Sequence, residues 1–563
     1  MPTPSESKAV VLIAGAGPSG LVLALTLAQN GVPVRIIEKE KSFHIGQRAP
    51  GIQPRTQELF HFLGILPDIM KRTSPVPMNR SYKMPEGVEP KVQYYLAGEP
   101  VRPSPDVPFP NAQMLGQASY EEILRTHLHK YGVEVELGME LVSFRQDADG
   151  VKATVARHGQ GTTSEEMIIT TNWLVGAEGA RSSVRKQLGF TYLGETRENL
   201  RVLLADAETS GLDSEHWHTW GELKGNAVWL RPTELPGIFS FLVATTMPQL
   251  ERAMQDHEAF VDLVHEITNR KDIGIGKITW KTLWKPNIRM VNKYFEGRVF
   301  LVGGKYLRCV QNAAHTHPPA GGQGANTGMQ DGFNLGWKLS LVYKGLADPS
   351  LLNTYESERL PVARDVLKRT TTALDNLVNY SYISGSSPPS HPTIFRQLGV
   401  NYRWSSIVLD EQPGNSSSEE MAAYLPENNA ELHAGDRAPD APDLKSAEGD
   451  GITSLFSIYK PVRHTLLLFA PSEDDVTALR VILGSIPQGM VYTVVILPSD
   501  HSANATSSGV DEILVDKDGY AHSAYHPVKQ GFSTFIIRPD GVIGAILKDV
   551  NSVKKYFSTL LSR

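Results

Sequence analysis

The stretch KAVVLIAGAGPSGLVLALTLAQNGVPVRIIEK (residues 8–39) decides the fold. An apolar run at 10–13 enters Gly15, Gly17 and Gly20 at G-x-G-x-x-G spacing. An apolar helical pattern opens with Pro18 and Ser19, and a second β-branched run ends on Glu38 and Lys39. That order is strand, glycine turn, helix, strand. The first glycine permits the tight turn, the second lets a pyrophosphate approach the backbone, and the third lets helix and strand pack closely. The helix start then offers free N–H groups and a positive dipole end to phosphate. Glu38, closing the second strand, is placed to accept hydrogen bonds from ribose hydroxyls. Residues 9–34 carry no charge and reach the length of a membrane span, but Pro18 and the clustered glycines argue against one continuous helix. The expectation is a bound dinucleotide and no membrane span.

Outward from this unit, 563 residues with 41% apolar and 21% charged content are enough for two to four globular domains. A formal charge of -6 gives no electrostatic reason to expect nucleic acid. The single cysteine, Cys309, excludes an intrachain disulfide framework and any Cys-x-x-Cys site. No metal is expected, and with no export signal a cytoplasmic location is the default.

Next comes HIGQRAPGIQPRTQELFHFLGI (44–65). Arg48 and Arg55 flank a Pro/Gly turn as candidate pyrophosphate partners, and Thr56 is a candidate helix cap. Residues 72–112 are Pro-rich and read as loops and edge strands. Gln117 opens an amphipathic helix. Between 190 and 290, runs such as NAVWLR (226–231) and IFSFLVA (238–244) alternate like half-buried antiparallel strands. Trp217, Trp220 and Trp229 could line an aromatic pocket there, although core packing is the commoner role for any one of them.

A strand at 173–175 runs into GAEGARSSVRKQLG (176–189), and GRVFLVG (297–303) precedes AAHTHPPAGGQGANTGMQDGFNLGWKL (313–339). Together these resemble the second and third motifs of the FAD-dependent aromatic hydroxylases, the single-component flavoprotein monooxygenases of the phenol hydroxylase and para-hydroxybenzoate hydroxylase type. The resemblance implies an α/β fold, with a Rossmann-type FAD-binding domain (1–190 and 291–385) and an inserted antiparallel α+β substrate sheet (191–290). A linker (386–430) leads to a thioredoxin-like domain (431–563) lacking the cysteine pair, expected to be separable and chemically inert. Implied cofactor contacts are Gly15, Gly17, Pro18, Ser19, Gly20, Glu38, Lys39, Arg48, Gln117, Glu178, Gly303, Asn312, Gly322, Gly324, Ala325 and Asn326. Glu178 stands where the family usually has Asp. A helix beginning near Asn326 would point its positive end at the flavin ring, and Pro318 and Pro319 would set carbonyls at the flavin edge. His315 reads as a structural hydrogen-bonder.

One departure falls on the third motif. Where the family has a single Asp that binds the ribityl chain, this sequence has GKYLRCVQN (304–312). Either Asn312 replaces the acid at the end of a genuine loop, or the segment does not belong in the functional protein; the close match on both sides favours the second. A second departure is Pro50, at about the position of the phenol base in phenol hydroxylases, so no catalytic residue is assigned.

The function implied is an NAD(P)H-dependent FAD monooxygenase. It would hydroxylate a small phenolic molecule with O2 through a flavin C4a-hydroperoxide, with NADPH or NADH visiting transiently and a homodimer possible. The alternative is a non-catalytic or FAD-deficient scaffold disabled by the 304–312 insert. The Trp-x-Trp-x-Ile-Pro signature of flavin halogenases is absent.

Overall fold

A computed structural model describes the whole chain except residues 1–9, 96–97, 159–163, 180–181, 198–199, 247, 304–313, 317–319, 380–392, 413–421, 427–430, 448, 470, 500–508, 528–532 and 562–563. The opening stretch forms the strand Val11–Ala14, the helix Pro18–Gln29 and the strand Val34–Glu38. Val11–Ala14 lies at the centre of a six-stranded sheet, parallel to both Val34–Glu38 and Trp173–Gly176. All four residues of Val11–Ala14 are buried, as a parallel strand covered on both faces requires. The helices Pro18–Gln29 and Gln323–Tyr343 pack together over this sheet, where Gly332 leaves room for the backbone at Ser19 and Leu23 and Gly336 for the side chains of Leu23 and Thr26.

A second, seven-stranded sheet runs in the order Gly274–Trp284, Val202–Ser210, Ile238–Ala244, Ala227–Pro232, His216–Gly221, Met78–Tyr82, Pro90–Tyr95. Its last two strands come from the Pro-rich segment that the sequence assigned to loops and edges. The substrate sheet therefore extends beyond 191–290. The parallel pairing of Met78–Tyr82 with His216–Gly221 joins residues so far apart that no local pattern signals it. One face of this sheet packs Leu203, Ala205, Leu230 and Val243 against the helices Gln249–Gln255 and His257–Thr268.

The C-terminal residues form an eight-stranded mixed sheet, in which His464–Phe469, Val491–Pro498 and Glu512–Asp516 are parallel and Thr534–Ile537 with Ile543–Leu547 form an antiparallel hairpin. One expectation changes here. The supposed linker is partly built in: Phe395, Val400, Tyr402 and Ile407 are buried, and Leu409–Asp410 adds an edge strand to the C-terminal sheet. The C-terminal unit is also tied to the helices Gln323–Tyr343 and Asn353–Asn379 through buried charges. Arg538, in the hairpin turn, donates to both carboxylate oxygens of Glu358 at 2.8 and 2.9 Å, and Lys338 donates to the same acid at 2.7 Å. Asp540 accepts from Asn334 and from Trp337 Nε1, both at 3.2 Å. Glu358, Arg538 and Lys338 are fully buried, so their charges require one another.

Among the described residues no helix is long and apolar enough to cross a membrane. Among them, too, no group of three or more His, Cys, Asp or Glu could hold a metal.

Candidate active site

The glycine turn folds as its spacing predicts. Gly15 sits at φ +107, and a Cβ there would come within 2.5 Å of the Ala177 carbonyl, so close approach of the second motif needs glycine. Above Gly17 a Cβ would meet nothing within 4 Å. The helix starting at Pro18 has no side-chain cap and no acid in its first turn. Open space therefore faces an uncapped, positively polarised helix end.

Glu38 turns back toward this end. Its Oε2 accepts the Ala16 N–H at 3.1 Å and its Oε1 the Glu40 N–H at 3.2 Å, while Lys39 beside it is exposed. Glu178 is half-buried and committed to the helix Ser183–Gln187, accepting from both serine hydroxyls, Ser182 at 2.7 Å and Ser183 at 2.6 Å, and from the Val184 N–H. Burial raises its pKa against those donors. Gln117 ties its helix to the Arg48 loop, its N–H donating to Gln47 O at 3.0 Å and its side chain to Glu121.

Around the third motif, Gly303 adopts φ +70 and donates its N–H to Asp331 Oδ2 at 3.2 Å. Asp331 also bonds His315 Nε2 at 2.9 Å and Arg359 Nε at 2.7 Å, deep in the core. Burial would raise the carboxyl, but Arg359 and His315 hold it below its ordinary value. His315 is the structural hydrogen-bonder that the sequence suggested. The helix expected near Asn326 begins at Gln323, because Gly321 and Gly322 take left-handed conformations and Gly322 becomes its N-cap. Gly324 and Ala325 are buried in its first turn. Asn326 clamps the loop, accepting from Gln53 N at 2.9 Å and donating to Gly51 O and Gly322 O. Asn312, Pro318, Pro319 and the 304–312 insert lie outside the described residues.

Two assignments fail. Thr56 is not the cap: its helix runs Pro54–Phe62 with Gln53 as N-cap, and its hydroxyl is buried without a partner among the described residues. Arg55 is committed within the protein, pairing with Glu58 at 2.6 Å and donating to Asp540 O at 2.8 Å. Arg48 instead faces the Trp280 ring. At φ 44 it places its guanidinium 5.9 Å over the Trp280 ring, with Nε buried and unpartnered among the described residues. Burial lowers its pKa, and nearby acids oppose that.

These pieces meet at a cavity of about 1130 Å³ lined by Arg48, Pro50, Gly321 and Gly322 on one side and the seven-stranded sheet on the other. Trp217 and Trp229 line it, edge to face at 6.4 Å, as do Trp280 and Trp284. Trp220 instead stacks on Tyr82 in the core at 4.6 Å. The sequence reading missed a polar knot at this sheet. Gln47 donates its N–H to Asp206 at 2.8 Å and its side-chain amide to Glu234 at 2.8 Å, and accepts from Arg231 at 2.8 Å. The signal available was one charge, Asp206, inside the otherwise apolar run VLLADA.

Residues 8–370 match the FAD binding domain family. A flavin-dependent monooxygenase of Mycobacteroides abscessus is 34% identical over 493 residues, spanning 84% of this chain and 94% of that protein. The chain belongs to the FAD-dependent monooxygenases. Pentachlorophenol 4-monooxygenase of Sphingobium chlorophenolicum is 27% identical over 557 residues, covering 96% of this chain and 94% of its own. The fold matches the flavin-dependent monooxygenase PieE, solved with FAD and substrate, at a TM-score of 0.79 and 23% identity over 99% of each chain. It also matches aklavinone-11 hydroxylase with FAD and aklavinone, at 0.77 and 24% over 100% of each.

FAD suits the groups present. The uncapped helix end and the open space over Gly17 fit a pyrophosphate, and Glu38 lies where a ribose acceptor belongs. The unpartnered Arg48 Nε and the start of the helix at Gln323 fit the anionic edge of a flavin.

Proposed function

We propose that this monooxygenase hydroxylates a phenolic aromatic molecule at the expense of NAD(P)H and O2. The observation that carries the reading is that one cavity joins four sheet tryptophans to Arg48 and the Gly321–Gly322 loop. Pentachlorophenol 4-monooxygenase and the aklavinone and pretetramide oxygenases among its relatives are named for aromatic substrates. The cavity exceeds the roughly 300–1,000 Å³ of a usual small-molecule pocket, so it suits a flavin edge together with a ring system.

The chemistry supplied by bound FAD is hydride uptake from NAD(P)H and activation of O2 for transfer to an electron-rich ring carbon. The chain's own residues bind and orient. Helix Pro18–Gln29 and Glu38 hold the dinucleotide, while Arg48 and the first turn of Gln323–Tyr343 stabilise negative charge at the flavin edge. The tryptophan-lined sheet holds the substrate ring flat and keeps water out. With a single G-x-G-x-x-G in the chain, the nicotinamide nucleotide visits without a second Rossmann domain. The strand order of the C-terminal sheet supports a thioredoxin-like unit, and without cysteines it serves packing or a dimer interface.

Purified protein with a flavin spectrum tests this. A panel of phenols should stimulate NAD(P)H oxidation and take up one oxygen atom from labelled O2. A flavin-free folded protein, or a holoenzyme whose NAD(P)H oxidation no aromatic compound stimulates, would sink it.

A further inference from the structure

The Arg48 backbone is held in an unfavourable shape from both sides. At φ 44 it lies in the left-handed region that a residue bearing a Cβ rarely adopts, and such a conformation persists only where its surroundings fix it. Downstream, Ala49 O accepts the Tyr120 hydroxyl at 3.2 Å and Pro50 O accepts the Leu115 N–H at 2.8 Å. Upstream, the fixing bonds centre on Gln47 and reach the substrate sheet. The Gln47 N–H donates to Asp206, its side-chain amide donates to Glu234, and its Oε1 accepts from Arg231.

Glu234 joins the most pieces. It stands between the strands Ala227–Pro232 and Ile238–Ala244. Its Oε2 accepts the Gln47 amide at 2.8 Å and the Gly116 N–H at 3.2 Å, and its Oε1 accepts the Ser119 hydroxyl at 2.6 Å. One carboxylate thus ties the sheet to the Arg48 loop and to the start of the helix Gln117–His129. Burial would raise this carboxyl, but the Ser119, Gln47 and Gly116 donors hold it below its ordinary value, so it is charged at neutral pH. Two glycines make room for the junction. A Cβ on Gly46 would come within 2.8 Å of the Trp280 ring, and one on Gly116 would collide with Gln47 Nε2 and lie 2.7 Å from Glu234 Oε1. The loop therefore closes on the sheet more tightly than a side chain at either position would allow.

We infer that Glu234 is a positioning residue: by clamping Gln47 it sets the Arg48 guanidinium between the Trp280 ring and the flavin edge, and so tunes how readily the flavin is reduced. This rests on the proposed place of Arg48 at that edge. Glu234 is not part of the cavity wall, whereas Arg48 and Trp280 are, so it acts through Gln47. A positive charge held at the edge favours the anionic reduced flavin. A loop released from the sheet lets the left-handed Arg48 relax and carries that charge away.

The test uses the oxidised holoenzyme with Glu234→Ala, Gly116→Ala and the two combined. Glu234→Ala removes the acceptor. Gly116→Ala keeps every charge, suits the backbone at φ -56, and wedges the junction open at side-chain tips that can yield, so it remains readable if Glu234→Ala does not fold. Hydrogen exchange read by mass spectrometry should be at least about tenfold faster in peptides containing Gln47 and Gly116, and unchanged in the strand Val11–Ala14. The two-electron reduction equilibrium of the flavin should weaken by about tenfold, a fall of about 30 mV in midpoint potential. Because both changes open one junction, the double variant should match Glu234→Ala alone. Arg48→Met separates the two readings. If it leaves the potential unaltered, Arg48 is not at the flavin edge and the positioning role goes with it. If it lowers the potential while the junction variants keep wild-type exchange or wild-type potential, Arg48 stays in place and the role of Glu234 is overturned.

Discussion

Glu38 shows how one side chain serves turn and ligand together. Its carboxylate accepts the Ala16 N–H inside the glycine turn and is 8% exposed, so it is held in place before any ribose arrives. Glu38→Ala should weaken FAD by about one to two decades, the loss of roughly 1.5–3 kcal/mol expected for a charged acceptor. Fluorescence titration of folded variant measures it, and unchanged retention would take Glu38 out of the site. Asp440 gives a pH prediction. Burial raises its carboxyl to about 6, although Oδ1 accepts the Ala441 and Phe456 N–H groups. Because the folded state holds that proton more tightly than the unfolded chain, stability falls as pH rises from the ordinary carboxylate range through about 6. Asp440→Asn keeps Oδ1 as acceptor, so it should gain about 1–3 kcal/mol over wild type at pH 7 and nothing near pH 4. Parallel thermal-melt profiles across that range would show the shift to be absent. At this scale the sequence was legible where the pattern is local. Along His216–Gly221, Trp217 and Trp220 fall on opposite faces by simple alternation, which separates the cavity residue from the core residue. Arg55 was not legible, because one of its partners, the Asp540 carbonyl, stands 485 positions away.

Elements were read best where glycine, proline and apolar runs mark them. The helix start near Gly322 was misplaced because glycine is a poor helix former, which moves the expected start past Gly324, whereas here two left-handed glycines end the loop and cap the helix. The third motif also carries the insert. The strand Val299–Leu301 leads to Gly303, whose N–H is fixed on Asp331, and the chain returns at His315, fixed on the same acid. Both ends of the inserted segment are therefore anchored to one side chain. Extra length between such anchors costs little, since closure entropy grows with the logarithm of loop length. The missing ribityl acid matters more, because a buried hydroxyl without its partner costs about 1–3 kcal/mol. Replacing residues 304–312 by a single Asp should tighten FAD by about one to two decades. Equal affinity in the parent chain would make the segment a tolerated loop with Asn312 as the stand-in.

At the scale of the whole molecule, composition misled. The Ser/Pro-rich stretch before residue 431 reads as a hinge between independent units, yet the hairpin turn at Arg538 carries its charge 180 positions back to Glu358, in the helix Asn353–Asn379 beside the flavin site. No local pattern could show this, because each charge looks like an ordinary surface residue until its partner is known. The same Glu358 holds Lys338, whose pKa burial lowers to about 8, on the helix that begins at the Gly321–Gly322 loop. Removing the C-terminal unit would leave Glu358 and Lys338 without Arg538 and Asp540. Arg538→Met, which keeps bulk and removes only the charge, should cost about 3–5 kcal/mol, the usual penalty for stranding one member of a buried ion pair. A chain ending near Pro426 should fail to fold or fail to retain FAD for the same reason. Full-length protein should melt in one transition, with flavin release and loss of C-terminal structure at the same temperature. Two separated transitions, or a soluble truncated protein that holds FAD as tightly as the full chain, would show that the ion network joins two units that do not depend on each other.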